Sequence, residues 1–177
     1  MFNTTKPHNL LISRKALRAA GLLGVILLGA YLGWWSYNAY RDRPARHMAV
    51  QAAAAFFSVD YHDQAAWTQR LCALSTADGC RYLDEVLAPA LWSEFLRNRT
   101  VSYATSQAAE KFHNFYSTVQ QQPAEIWQVA LTLDRAWPQA RDGRRQFEVY
   151  VLLYQEEPSG WRFDRILSDD EIERLLP

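Results

Sequence analysis

Residues 127–153, WQVALTLDRAWPQARDGRRQFEVYVLL, carry the strongest strand pattern of the chain. Apolar and polar residues alternate through 127–134 and again through 146–153, which is the period of a β-strand with one buried face. A turn-forming segment that contains Pro138 and Gly143 separates the two runs. The stretch therefore predicts two successive strands of an antiparallel sheet.

The sequence on both sides of this stretch predicts an α+β domain. A third strand is predicted after the loop at 156–160, and alternation at 101–105 predicts another, whereas 108–119 fits either a helix or a strand. Ser168 and Glu171 form a capping box that predicts a short C-terminal helix. We expect about three helices at about 44–98, packed on a curved antiparallel sheet of three to four strands at about 100–168, then a helix at 169–176.

The stretch Ala16–Tyr40, ALRAAGLLGVILLGAYLGWWSYNAY, predicts a single transmembrane helix. Residues 19–35 contain no charge, and about 17 to 25 such residues span a bilayer. The aromatic residues Trp34 and Trp35 lie near its second end, where the headgroups are expected. The alternatives are a buried core helix and a cleaved signal peptide, but the apolar run is longer than that of a signal peptide and no Ala-x-Ala site follows it.

The predicted organisation is a cytoplasmic tail at 1–15, the span at 16–40, and an extracytoplasmic domain at 41–177. Pro44 suits the first turn of a new helix after the span. Four Lys/Arg precede the uncharged run and three follow it, a small bias that places the N-terminus inside. We expect single-pass placement in the cytoplasmic (inner) membrane, with the C-terminal domain periplasmic or extracellular.

Charge is distributed unevenly along the chain, although its formal net charge is +0. Of 19 Lys/Arg and 19 Asp/Glu, seven basic residues and one acidic residue lie before residue 47, which leaves 12 basic and 18 acidic residues after it. An acidic domain without a basic run argues against nucleic-acid binding. Nucleic acid is therefore not an expected partner, whereas the span predicted above makes the lipid bilayer one.

Cys72 and Cys80 are the two cysteines of the chain, and both lie in the predicted domain. On one unbroken helix they would be about 12 Å apart along the axis, beyond disulfide reach. A turn at Ser75–Gly79 brings them closer, so the pair is either a disulfide, compatible with an exported domain, or two buried free thiols.

No catalytic, cofactor or metal motif stands out in the sequence. The four histidines are scattered, and HExxH, CxxC, Gly-rich phosphate loops and GxSxG are absent. Asp60 and His62 are the candidate polar groups of a pocket, where they would suit acid–base chemistry. The alternative is a polar turn in which Asp63 caps the next helix. We predict that the chain is not an enzyme and has no cofactor or metal.

Gly29 and Gly33 form a GxxxG pair within the predicted span. Small residues one turn apart allow two transmembrane helices to approach closely. The pair therefore predicts self-association of the helix, unless both glycines simply face lipid.

Three segments carry a resemblance to a known family: AAAAFFSVDY at 52–61, LWSEF at 91–95 and GWRF at 160–163. With the tail, the span and the order of elements, they resemble the VirB-eight-like inner-membrane assembly factors of type IV secretion and conjugation machines, including the TcpC-like and DotI/IcmL-like branches. The resemblance implies a nuclear-transport-factor-two-like (cystatin-like) domain and a non-enzymatic scaffold that oligomerises and contacts other channel subunits. The chain is short for that family.

Two other functions are compatible with the same fold. One is a Mce-associated-type protein of a lipid-import system, and the other is an anchored enzyme or small-ligand binder that uses the concavity of the sheet. An interior filled by Trp and Phe side chains favours the scaffold, whereas an apolar pocket with an inward-pointing carboxylate favours the ligand binder.

Overall fold

The computed structural model describes residues 14–135, 144–158 and 160–175. Within these residues, four strands form one antiparallel sheet in which each strand pairs with the next along the chain, and together with the helices they confirm the predicted α+β architecture with a curled sheet. The predicted tail up to residue 13 and the predicted turn at Pro138 and Gly143 lie outside the described residues. The helices are Arg14–Phe57 (α1), Gln64–Leu74 (α2), Ala77–Tyr82 (α3), Ala88–Asn98 (α4) and Asp169–Leu175 (α5), with a π-helical turn at Leu83–Leu87. The strands are Ser102–Ser117 (β1), Gln122–Arg135 (β2), Arg144–Glu156 (β3) and Gly160–Leu167 (β4).

One helix, α1, covers the region for which two helices were predicted. Pro44 lies inside it, so the prediction of a new helix that starts at Pro44 is wrong. A proline inside a helix removes one hydrogen bond and costs about 3 kcal/mol. The alanine-rich sequence that follows favours helix strongly enough for the helix to continue.

The chain divides into two units, one up to Asp42 and one from Arg43 onward. In the first unit, the large apolar side chains of α1 from Leu22 to Tyr40 are 51% to 71% exposed. Among the residues that the structure describes, no helix is both long and apolar enough to cross a bilayer.

An alanine stripe on α1 forms one side of the core of the second unit. Ala45, Ala49, Ala52 and Ala53 are all fully buried, and their spacing of four, three and one residues places them on one helix face. Methyl side chains let a helix backbone come close to a sheet. The stripe packs in one cluster with the helix-facing residues of the strands, including Val129, Leu131, Val151, Leu153 and Phe163.

The opposite face of the sheet has a smaller core of its own. Ile172 of α5 packs there with Ile126 and Leu152. Half of the capping box predicted for this helix is present, because the Ser168 N–H donates to Glu171 Oε2 at 2.9 Å, while the Ser168 hydroxyl donates to the same oxygen instead of accepting from the Glu171 N–H. The bond from the Ser168 N–H, the largest contribution, lowers the pKa of Glu171.

Strand β1 resolves the ambiguous segment 108–119 as strand up to Ser117. Its pairing with β2 shifts register between Ser106 and Ala108 and again between Lys111 and His113. Each shift is a β-bulge, which adds a residue and changes which side chains face the core. A strict alternation is therefore missing from this segment, although it is a strand as far as Ser117.

Helix α3 begins closer to Cys72 than predicted, because the turn is confined to Ser75 and Thr76. The Thr76 N–H donates to the carbonyl of Phe163 in β4 at 2.7 Å. Its hydroxyl accepts from the Gly79 N–H at 2.9 Å, which caps α3. These bonds join the start of α3 to strand β4.

Gly79→Ala is expected to destabilise the protein by about 2 kcal/mol, because overpacking in a tight core costs about 1 to 3 kcal/mol. A Cβ added at Gly79 would lie 2.8 Å from the backbone oxygen of Asp164 and 2.9 Å from Thr76 Oγ1. The measurement is thermal unfolding of the full chain. Arg81→Ala, an exposed change on the same helix, is the control; equal midpoints for both variants would contradict the predicted clash.

Candidate functional site

An aromatic cluster lies in the main core where α1, α2 and α4 meet. Trp67 is fully buried, and its ring centroid lies 5.7 Å from that of Phe56, 5.9 Å from Trp92 and 6.3 Å from Phe95. The Trp67 indole N–H donates to the Phe56 carbonyl at 3.0 Å, so its polar atom is satisfied. The interior at this point is occupied by Trp and Phe side chains, the arrangement that favours a scaffold.

A charged group lies on the helix-facing side of the sheet, between β1 and β2. Lys111 Nζ lies 2.7 Å from Glu125 Oε1, and the two side chains are only 21% and 11% exposed. The Trp127 indole N–H donates to Glu125 Oε2 at 2.8 Å. If the alternation through 127–134 is continued back to residue 125, that residue lies on the inward face. The inward position of the Glu125 carboxylate could therefore have been predicted from the sequence.

Asp60 and His62, the predicted pocket groups, contact each other in an exposed turn. Asp60 Oδ1 accepts from the His62 N–H at 3.0 Å and lies 2.7 Å from His62 Nδ1. The His62 backbone N–H is the largest cause of the lowered pKa of Asp60. Their side chains are 56% and 66% exposed, so solvent surrounds both.

Asp63 agrees with the alternative prediction, in which segment 60–63 is a polar turn that caps the next helix. Asp63 is the N-cap of α2, where its side chain accepts from the Ala66 N–H at 2.9 Å. Within the described part of the chain, no group of three His, Cys, Asp or Glu side chains is arranged to hold a metal ion. The segment 60–63 is a polar turn between α1 and α2.

A disulfide joins Cys72 of α2 to Cys80 of α3, with the two Cα atoms 4.7 Å apart. The turn at Ser75 and Thr76 brings the cysteines together. A disulfide was expected to need a turn between the two cysteines, and this turn meets that requirement.

The surface of α1 around the GxxxG pair is open. A Cβ added at Gly29 or at Gly33 would meet no atom within 4 Å. The structure therefore leaves space beside both glycines, and helix self-association there stays a prediction.

Two exposed apolar residues lie at the end of β1 and in the turn after it, and we call them the β1 aromatic surface: Tyr116 and Val119, which are 62% and 87% exposed. Phe112 lies on the other face of the sheet, where its ring packs edge-on against Tyr150 at 4.9 Å. The Tyr116 hydroxyl donates to the Gln121 carbonyl at 2.7 Å, which orders the turn. Exposed aromatic side chains held in place in this way are typical of protein interfaces.

The β1 aromatic surface adjoins the free edge of the sheet. Residues before the strand cover its beginning, since the backbones of Val59 and Ser102 exchange hydrogen bonds of 3.0 and 2.8 Å. Beyond Ala104, β2 is the one strand paired with β1 in the described part of the chain. Such an edge can accept another chain, and the inward-pointing Lys111 and the two bulges limit unspecific pairing. Because residues 108–119 fit a helix as well as a strand, this surface could not be predicted from the sequence.

The described fold is similar to solved periplasmic domains. The periplasmic domain of DotI shares 16% identity with the chain over 71% of the chain and 93% of that domain, with a TM-score of 0.56. A periplasmic fragment of TraM shares 14% identity over 72% of the chain and 95% of the fragment, with a TM-score of 0.53. An IcmL-like type IV secretion system protein from Legionella pneumophila shares 15% identity over 71% of the chain and 89% of that protein, with a TM-score of 0.48.

The similarity to the periplasmic domains of DotI and TraM confirms the resemblance at the level of the fold. No protein-family profile matches the sequence, and no curated protein matches it either. At such low identity, what the chain shares with these structures is its architecture.

Proposed function

We propose that the chain is a membrane-anchored structural subunit of a type IV secretion channel, which acts through oligomerisation and through contacts of its extracytoplasmic domain with other subunits. The observation that carries the proposal is the fold shared with the periplasmic domains of DotI and TraM. The three family-like segments in the sequence point the same way. The proposal assigns no chemical step to the domain, and the filled interior around Trp67 supports a structural role.

In the proposed arrangement, residues 16–40 anchor the chain in the inner membrane. Residues 1–15 then lie in the cytoplasm, and residues 41–177 lie in the periplasm. The exposed apolar side chains between Leu22 and Tyr40 support this anchor, because water is a poor solvent for such a surface. The disulfide between Cys72 and Cys80 supports an oxidising compartment for the domain.

Crosslinking of the full-length protein in native membranes tests the assembly. We expect crosslinked oligomers together with co-purifying membrane proteins. A strictly monomeric chain without co-purifying proteins would overturn the proposal. A Mce-associated role predicts instead that the partners belong to a lipid-import system, which identification of the co-purified proteins would reveal.

Gly29→Leu and Gly33→Leu are each expected to reduce crosslinking between copies of the chain severalfold. A leucine at either position fills the space that close approach of two helices requires. Leu27→Phe is the control, because residue 27 lies about 200° around the helix from residue 29. All three variants should stay in the membrane fraction. Unchanged crosslinking in both glycine variants would contradict self-association through this helix and would leave it the role of an anchor.

Val119→Asp is expected to reduce co-purification of partner proteins at least tenfold, because it places a charge in the β1 aromatic surface. Val119 is 87% exposed, so the free energy of unfolding should change by less than about 0.5 kcal/mol. Val86→Asp is the control, since Val86 is exposed on the helical side of the domain. Equal loss of partners in both variants would mean that charge alone, and not this surface, affects binding.

A further inference from the structure

Helix α1 has a basic face at the start of the second unit. Arg43, Arg46, His47 and Val50 follow one another at the i, i+3, i+4, i+7 spacing that places residues on one face of a helix. Together with Pro44 they line an open recess of about 590 Å³. The two arginines and the histidine are exposed.

The core of the domain determines the direction of this basic face. Ala45 and Ala49, which lie about 130° around α1 from the middle of the basic face, are fully buried in the main core cluster. Rotation of the helix would remove both from the core and would expose their methyl groups to water. The basic face is therefore held away from the sheet.

The charges around this face favour an external anion. Among the described residues, neither Arg46 nor His47 has a carboxylate partner. The chain after residue 46 holds 12 basic and 18 acidic residues, so an acidic domain follows directly on this basic segment. An anionic surface would repel the acidic domain. Attraction between the basic face and that surface offsets the repulsion.

We propose that Arg43 and Arg46 bind the phosphates of anionic phospholipid headgroups in the leaflet that faces the domain. The inference rests on the proposed membrane anchoring. In the sequence, Arg43 follows Tyr40 by three residues, and interfacial aromatic residues of a span lie at headgroup depth. A guanidinium group donates two parallel hydrogen bonds to a phosphate, and the apolar Pro44 and Val50 complete the wall of the recess.

The test measures which lipid surrounds the full chain in nanodiscs. Energy transfer from tryptophan to pyrene attached to an acyl chain is compared for phosphatidylglycerol and phosphatidylcholine. Each basic residue near an anionic surface contributes about a fivefold preference. We therefore expect the enrichment of phosphatidylglycerol around the wild-type chain to be at least fivefold greater than around the Arg43→Gln/Arg46→Gln variant, in which Arg41 and the four basic residues before the uncharged run remain.

The control variant Arg81→Gln/Arg97→Gln removes two arginines elsewhere in the domain, and it should keep the wild-type enrichment. Arg46→Lys should keep part of it, because the charge remains without the paired donors. Equal enrichment in the wild type and in the Arg43→Gln/Arg46→Gln variant would overturn the inference. The inference would also be overturned if inorganic phosphate displaced phosphatidylglycerol more strongly than sulfate does at equal ionic strength. That result would indicate a site for free phosphate.

Carbonate extraction of membranes separates this inference from the proposed function. If the wild-type chain is released as a soluble protein, the anchoring has failed. If the chain stays in the membrane without any preference for phosphatidylglycerol, the anchoring holds and only the headgroup site is excluded.

Discussion

Lys111→Met is expected to lower the free energy of unfolding by about 3 kcal/mol, because removal of one member of a buried ion pair leaves the other charge without compensation. The Glu125 carboxylate, 11% exposed, would keep the indole N–H of Trp127 but lose its 2.7 Å contact with Lys111. A loss of this size corresponds to a fall of about 10 °C in the melting temperature of a domain of this length. Circular dichroism of the full chain in detergent measures it.

Two further variants make this prediction specific. Arg144→Met breaks the pair between Arg144 and Asp134, whose side chains are 70% and 57% exposed, and should change stability by less than about 0.5 kcal/mol. The double variant Lys111→Met/Glu125→Leu should regain part of the loss, since apolar replacement of a whole buried pair is often neutral. Equal melting temperatures for Lys111→Met and Arg144→Met would show that burial of the Lys111–Glu125 pair does not increase its contribution to stability.

Removal of the disulfide by Cys72→Ser/Cys80→Ser is expected to cost about 2.5 kcal/mol, since a short closed loop restricts the unfolded chain by about that amount. The two cysteines are 8 residues apart in sequence and join α2 to α3. Chemical denaturation of protein purified without reductant measures the effect. The double variant should unfold at a lower denaturant concentration, and the slope of its unfolding free energy against denaturant should be equal or slightly larger, because the unfolded chain is less restricted.

A reducing agent provides the control for the disulfide within the same protein. Dithiothreitol should destabilise the wild type by the same amount and leave the double variant unaffected. Two reactive thiols in the unreduced, denatured wild type would contradict the bond. That result would also weaken the case for a periplasmic domain, because a cytoplasmic domain would keep both thiols reduced.

The strands were predictable wherever one face of the sheet is apolar and the other polar. Residues 127–134 and 146–149 alternate cleanly and lie within strands β2 and β3. Leu152 interrupts the polar face of β3 because it packs in the smaller core beside α5. Ser168 and Glu171 likewise identified the start of α5, because a capping box is encoded by neighbouring residues. Local chemistry of this kind can be recognised without knowledge of the rest of the chain.

The remaining features depend on contacts between distant residues. The bulges of β1 shift its alternation, so neither Lys111 nor the β1 aromatic surface was recognisable in a segment that also fits a helix. Pro44 is tolerated inside α1, where residues that follow favour the helix, although its sequence context matches a helix start. Asp60 and His62 suggested chemistry by residue type, whereas their exposure depends on how the turn meets the rest of the domain.

The alanine stripe on α1 also restricts how this protein can diverge. Any side chain larger than a methyl group at Ala45, Ala49, Ala52 or Ala53 would have to enter a packed core, since all four are fully buried. We expect a saturation library to accept little besides Gly, Ser and Cys at these four positions, while the intervening exposed position Gln51 accepts most polar residues. Distant homologues should therefore keep small residues at this spacing even where the rest of the helix has changed, which offers a signature for finding them.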